Sequence, residues 1–398
     1  MLYRINKGKE DLTRLKERLG VATKKRTAPI IWVHAASVGE TMIALNLIEN
    51  LSSQHPEHKF LLTTGTVTSA NIVLKRGLAN VIHQYNPIDV SWCVKKFLNS
   101  WQPEVGIFIE SELWPNLIHL SASKFSLILV NAKMSDKSYR KWQNCKPLIE
   151  SIFNKFSVIL TQSQGDYSKF KALGATNIAN LGNLKFSNFK PVFDYVAFEK
   201  LSAEIENRKV LLAASTHEGD DEFITSCYKA LKKKYQDLLL IIAPRHPKRS
   251  HQIARMLTAN QLRLSTRTQN QPIDSTTDVY LADTLGELGL FYAVSNVSFI
   301  GGSLRNGGHN IIEPSFFKTL IIFGPDMSNF IEIANEYIDK KAALSFKNMD
   351  QAIKIIDDFF QNPEAISEYH ATGIEIVKAK KQILCNYLDH ISALVKNV

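Results

Sequence analysis

The stretch Val297-Ser-Phe-Ile-Gly-Gly-Ser-Leu-Arg-Asn-Gly-Gly-His-Asn-Ile-Ile-Glu-Pro314 decides how this chain is read. Residues 297–300 read as a buried strand that runs into four glycines and then into a helix start carrying His309, Asn310 and Glu313. Glycine lets backbone N–H groups approach a ligand with no Cβ in the way. A helix N-terminus offers unpaired donors and a positive dipole end to an anion. Asn310 and Glu313, three residues apart, share a helical face where they could hold sugar hydroxyls. Pro314 suits a first helical turn, where a missing N–H costs little. The competing reading is a glycine-rich loop packed tightly on its sheet.

Outward from that stretch, short apolar runs alternate with helical patterns in two series. The first has strands at 29–34, 59–63, 81–85, 105–110, 127–131 and 158–161. The second has strands at 209–214, 238–243, 262–265, 278–281, 297–300 and 320–323, then helices to the end of the chain. Such alternation predicts parallel sheets covered on both faces. The fold class is therefore α/β, and two Rossmann-like halves facing across a cleft, at 1–186 and 187–398, are one solution to this pattern. The terminal helices are assigned to the second half. In open parallel sheets ligands gather outside the carboxyl ends of the strands.

With 398 residues, 45% of them hydrophobic, the chain can bury two substantial cores. Four scattered cysteines show no metal-ligand spacing or disulfide framework, and no apolar run reaches the roughly 18–20 residues that span a bilayer. The chain reads as cytoplasmic. Its net charge of +10 is uneven, with nine Lys/Arg against three acids in residues 1–26. Leu12, Leu15 and Leu19 lie at helical spacing beneath those charges. A basic amphipathic segment of this kind suits anionic headgroups, and a plain solvated helix face is the equal alternative. Nucleic acid is not expected, because no stacking aromatics or recognised motif accompany the charges.

Candidate chemistry falls at the predicted strand ends. In Ala35-Ala-Ser-Val-Gly-Glu40, the carboxylate opens a helix, where it is stabilised as an anion. Spacing alone favours a structural first-turn residue over a general base. Glu110 and Glu112, beside Trp114-Pro115, form a polar tip that a bound polar group would explain; Asn131 ends the next strand. Arg245, in Pro244-Arg-His-Pro247, presents a guanidinium fork that matches a phosphate or carboxylate. The Gly286 and Glu287 amides precede a helix at 288–294 and could cradle a phosphate. His217, His246 and His309 read as ordinary polar contacts rather than a metal set.

Trp32-Val-His-Ala-Ala-Ser-Val-Gly-Glu40, Glu110-Ser-Glu-Leu-Trp-Pro-Asn116, Asn131-Ala-Lys-Met-Ser135, Ala214-Ser-Thr-His-Glu218, Pro244-Arg-His-Pro247, Leu285-Gly-Glu287 and the glycine-rich stretch ending at Glu313-Pro314 together resemble the 3-deoxy-D-manno-octulosonic acid (Kdo) transferases in kind and order. The resemblance implies a GT-B glycosyltransferase fold and Kdo transfer from CMP-Kdo to the lipid A precursor. The setting it implies is the cytoplasmic face of the bacterial inner membrane, with an anionic surface as a further partner.

It also implies roles. Glu40 matches the catalytic base and Glu112 a second acid of the acceptor side, with Ser37 and Gly39 as substrate-binding residues. Arg245, His246, Leu285, Gly286 and Glu287 match the part that holds the CMP phosphate. Asn310 and Glu313 match the ribose region. No cofactor or metal is expected, since the donor has a single phosphate and the chain lacks an acidic Asp-x-Asp motif. Family members usually carry an apolar helix before the basic stretch, so a peripheral form is expected here. A UDP-sugar transferase or 2-epimerase is the nearest alternative, and a non-catalytic basic nucleotide- or nucleic-acid-binding protein a more distant one.

Overall fold

The computed structural model describes residues 10–187 and 194–396. The chain divides into two compact units, Met1–Asn188 with Lys380–Val398, and Phe189–Ala379.

In the first unit, β1 (Ile30–Ala35), β2 (Lys59–Thr64), β3 (Val81–Tyr85), β4 (Val105–Ile109), β5 (Ser126–Ala132), β6 (Val158–Thr161) and β7 (Ile178–Asn180) form one sheet. Its order is β3-β2-β1-β4-β5-β6-β7, and the pairings are parallel. All six residues of central β1 are buried, which is why its sequence is an apolar run. The run still divides by alternation. Ile31 and Val33 pack with Ile43, Leu47 and Leu51 of the helix Val38–Gln54, while Ile30 and Trp32 pack with Phe97 and Trp101 of the helix Ser91–Trp101. A fully buried side chain of this size contributes about 1.5–3 kcal/mol.

The second unit repeats the plan with β8 (Val210–Thr216), β9 (Leu239–Pro244), β10 (Leu264–Thr266), β11 (Val279–Leu281), β12 (Val297–Ile300), β13 (Leu320–Phe323) and β14 (Leu344–Ser345). The order is β10-β11-β9-β8-β12-β13-β14, again parallel. The order in which strands are added reverses between β1 and β4 in one sheet, and between β8 and β12 in the other. Those switch points open the crevices where ligands bind in sheets of this kind.

Four expectations change. The helix expected at His309 to Glu313 does not form. Gly307 and Gly308 stand at φ +78° and +70°, the Gly307 amide donates to Asp326 Oδ2 at 2.8 Å, and the first helical residues are the 3-10 turn Pro314–Phe316. A Cβ on Gly301 would lie 2.4 Å from the Ser215 carbonyl oxygen, so tight packing accounts for that glycine.

Over its described residues, 10–26, the basic segment is not a long amphipathic helix. Those residues contain one short helix, Leu15–Arg18, behind a 3-10 turn, with Glu17 buried and Leu12 64% exposed. Arg14 pairs with Glu17 and donates to the His83 carbonyl; Arg18 turns inward to Glu10, Asn86 and the Gly65 carbonyl. Lys16, Lys24, Lys25 and Arg26 remain exposed, and Arg4, Lys7 and Lys9 lie outside the described residues.

The terminal helix Ile366–Lys396 does not stay with the second unit. Its Leu384, Tyr387, Leu388 and Ile391 complete the apolar core of the first sheet, and the Tyr387 hydroxyl donates to the Gly182 carbonyl at 3.0 Å. Finally, β7 and β14 were not expected. Among the described residues, no helix is long and apolar enough to cross a membrane.

Candidate active site

In the first unit the polar tips converge beyond β1 and β4. Ser37 caps the helix Val38–Gln54: its Oγ accepts from the Glu40 amide at 3.4 Å and donates to Glu40 Oε1 at 2.7 Å. Glu40 Oε2 accepts from the Ala36 amide at 2.7 Å. This reciprocal cap holds the carboxyl in place. Burial raises its pKa above the ordinary carboxylate value, and the charges of Glu112 and Glu110 push it further. Gly39 is exposed, with open space where a side chain would be.

Glu112 goes the other way. Burial opposes its ionisation, but His34 and a 2.6 Å hydrogen bond from the Trp114 indole outweigh it and hold the pKa low. His34 Nε2 lies 3.7 Å from Glu112 Oε2, a charge-pair separation too long for a hydrogen bond. The ring is fixed from behind, with Nδ1 2.9 Å from Thr63 Oγ1, which also receives the Trp32 indole N–H. Glu110 stands in the left-handed region at φ 59° and pairs with Lys185 at 3.0 Å. Asn131 is also left-handed, at φ 54°, and its Oδ1 accepts from the Leu184 amide. Such strain at strand ends marks backbone that packing over-determines. A pocket of about 250 Å³ opens beside Ala36, lined by Arg18, Thr66, Ile88, Asp89 and Trp114.

In the second unit Arg245, Leu285 and Gly286 line one small pocket with Ser215, Pro244 and Phe291. The Arg245 amide donates to the Thr216 carbonyl at 3.0 Å, and among the described residues its exposed guanidinium forms no salt bridge. Gly286 adopts φ +86°, which a side chain resists. The Glu287 carboxylate is engaged by Arg267, at 2.6 and 3.1 Å, and by the Thr284 hydroxyl. Across the β8/β12 switch, Asp220 Oδ2 accepts from the His217 amide at 2.8 Å and the Gly302 amide at 2.6 Å.

His217 and His309 stack with centroids 5.0 Å apart, and His246 stands nearly perpendicular to His217 at 5.9 Å. Burial drives His309 down to about 4, helped by His217 and Arg245. Asn310 is turned on its own loop, accepting from the Ile312 amide at 3.0 Å. Glu313 is half-buried, and burial alone raises its pKa.

Sequence reasoning passed over His34, Lys185 and Asp220. An ionisable ring inside the apolar run of β1 was the available signal for His34.

Twin parallel sheets, each with its polar residues at the carboxyl ends of the strands, define the GT-B fold class. The crystal structure of a glycosyltransferase from Rickettsia africae shares this fold at a TM-score of 0.57, with 12% identity over 94% of this chain and 100% of that one. The family model for 3-deoxy-D-manno-octulosonic-acid transferase (kdotransferase) matches residues 13–188. A 3-deoxy-D-manno-octulosonic acid transferase of Rickettsia bellii is 42% identical over 97% of this chain and 93% of its own. One from Haemophilus influenzae is 31% identical, covering 94% and 90%. The chain belongs to the Kdo transferase family.

Proposed function

We propose that this Kdo transferase takes CMP-Kdo as donor and the lipid A precursor as acceptor, in lipopolysaccharide synthesis at the cytoplasmic face of the inner membrane. One observation carries the assignment of chemistry: Glu40 is pushed up and Glu112 down within one polar cluster. Environments that drive two carboxyls apart mark which one moves a proton. Glu40 is the base. Both of its oxygens accept a hydrogen bond, yet a carboxylate has about four lone-pair sites, so room remains for the acceptor hydroxyl.

Glu40 takes the hydroxyl proton as the acceptor oxygen bonds to the anomeric carbon of Kdo. The bond from that carbon to the phosphate oxygen breaks, CMP departs as an anion, and the configuration inverts. Arg245 and the backbone at Gly286 and Glu287 meet the charge growing on the phosphate. The helix Leu288–Val294 is short, so most of that stabilisation falls to Arg245. His246 lies beside the phosphate, and Asn310 and Glu313 receive the ribose hydroxyls. The first unit serves the acceptor, with Ser37 and Gly39 at its base. Lys16, Lys24, Lys25 and Arg26 meet anionic headgroups, each worth about 1 kcal/mol near the surface.

The test is incubation with freshly generated CMP-Kdo and tetraacylated lipid A precursor, read by mass spectrometry of the lipid. Addition of one or more Kdo masses with CMP release is the expected result. An unchanged lipid, with activity towards a UDP-sugar instead, would overturn the proposal.

A further inference from the structure

At the amino edge of the first sheet, opposite the strand ends that carry Glu40 and Glu112, His55-Pro-Glu-His58 joins the helix Val38–Gln54 to β2. His55 and His58 are buried, while the Glu57 side chain is 57% exposed. One ligand atom from each of the three lies within 4.8 Å of the other two. His58 Nδ1 is 2.7 Å from Glu57 Oε1, and His55 Nδ1 is 4.0 Å from the same oxygen. The two rings stand perpendicular, 5.7 Å apart.

The far nitrogens settle the tautomers. His58 Nε2 lies 3.0 Å from Glu104 Oε2, and an ionised carboxylate only accepts, so Nε2 carries a proton. The Ser392 hydroxyl donates to Gln54 Oε1 at 2.8 Å, so it accepts from His55 Nε2–H at 3.0 Å. In the neutral ring His58 Nδ1 is then unprotonated, and this buried atom has no hydrogen-bond partner among the described residues although Glu57 Oε1 is 2.7 Å away. A buried ring nitrogen left without a donor beside an anionic oxygen is unfavourable unless a positive charge lies close to both. Ligating histidines commonly give their other N–H to a carboxylate or another acceptor, which fixes the tautomer and ring orientation. Glu104 and Ser392 occupy those outer positions here.

We propose that His55, Glu57 and His58 bind a divalent transition-metal cation of the Zn²⁺ type through two imidazoles and one carboxylate, with water as the fourth ligand. Two nitrogens and one oxygen suit Zn²⁺ at about 2.0–2.2 Å per bond. The exposed Glu57 arm is free to adjust to that distance. The proposed reaction makes no use of this edge of the sheet, so the site is structural. Through the His55–Ser392 bond it ties the last turns of the terminal helix to the loop before β2. The rival occupant is a proton, making His58 an imidazolium between Glu57 and Glu104.

The protein, stripped with chelator, is titrated with Zn²⁺ alone and Co²⁺ alone. Calorimetry, visible Co²⁺ absorption and thermal unfolding are the readouts. One saturable equivalent, a tetrahedral Co²⁺ spectrum and a raised Tm are expected. Glu57→Gln and His58→Gln should each weaken binding at least tenfold, and Glu104→Gln by about 10–100-fold. His217→Asn, at the other histidine cluster, should leave that equivalent in place. Absence of saturable binding overturns the proposal, as does binding that Glu57→Gln and His58→Gln leave unchanged. Should His58→Gln fail to fold, the exposed Glu57→Gln decides by itself.

Discussion

Glu40 and Glu112 stand beyond the neighbouring strands β1 and β4, and their pKa values are displaced in opposite directions, Glu40 up and Glu112 down. Burial acts against ionisation at both. The difference is that Glu112 has His34 and the Trp114 indole to offset burial, whereas Glu40 also faces the charge of Glu112.

Glu40→Gln keeps the shape of the cap and removes the base. Turnover should fall by about 10²–10⁴-fold, with CMP affinity unchanged. Steady-state kinetics beside CMP calorimetry check this, and a variant that keeps most of its rate excludes Glu40 as the base.

Glu112→Gln removes the negative charge that helps raise Glu40. The acid limb of the kcat profile, which reports Glu40 losing activity as it is protonated, should move to lower pH. An acid limb that stays in place would show that the two carboxyls are not coupled.

Arg245→Ala should weaken binding of CMP and lower kcat/KM together. A hydrogen bond to a charged group is worth about 1.5–3 kcal/mol, so a loss on the order of 10–100-fold is expected. Calorimetry with CMP provides the measurement, and unchanged affinity and rate refute the clamp.

Acid stability follows from two depressed histidines. His83 is pushed down to about 3, first by burial and then by Arg14, Lys24 and Arg18; His309 is pushed to about 4. Below their ordinary value of 6.5 the unfolded chain binds these protons and the native chain resists them, so stability falls as pH drops. The fall should run from about pH 6.5 towards 4 for His309 and continue lower for His83. Tm against pH for His83→Gln should be flatter across this window than for the parent chain, and an identical slope would contradict the argument.

Gly301→Ala would place a methyl 2.4 Å from the Ser215 carbonyl oxygen, which is backbone and yields little. A loss of about 1–3 kcal/mol is expected, seen as a lower urea midpoint for the second unit. An unshifted midpoint would mean that the β8/β12 contact relaxes.

Much of the architecture was legible because each sheet is covered on both faces. That condition writes apolar runs such as Ile30–Ala35 and Val297–Ile300 into the chain, separated by helical patterns. Elements of two or three residues, Leu344–Ser345 and Ile178–Asn180, carry too few positions for any period to register. The cap formed by Ser37 and Glu40 could be read from its three-residue spacing. The stretch from His309 to Glu313 misled, because a hydrogen bond from the Gly307 amide to distant Asp326 holds the preceding chain out of helical form.

What the sequence determined by itself was the parallel α/β class, the placement of polar residues at strand ends, and the family likeness. All of these follow from local periodicity and residue order. Only the tertiary structure decided that Arg14 and Arg18 turn inward, that Lys185 pairs with Glu110, and that the terminal helix completes the first core. Each depends on residues far apart in the chain being brought together, and the free energy of a charge or an apolar face is set by what surrounds it after folding.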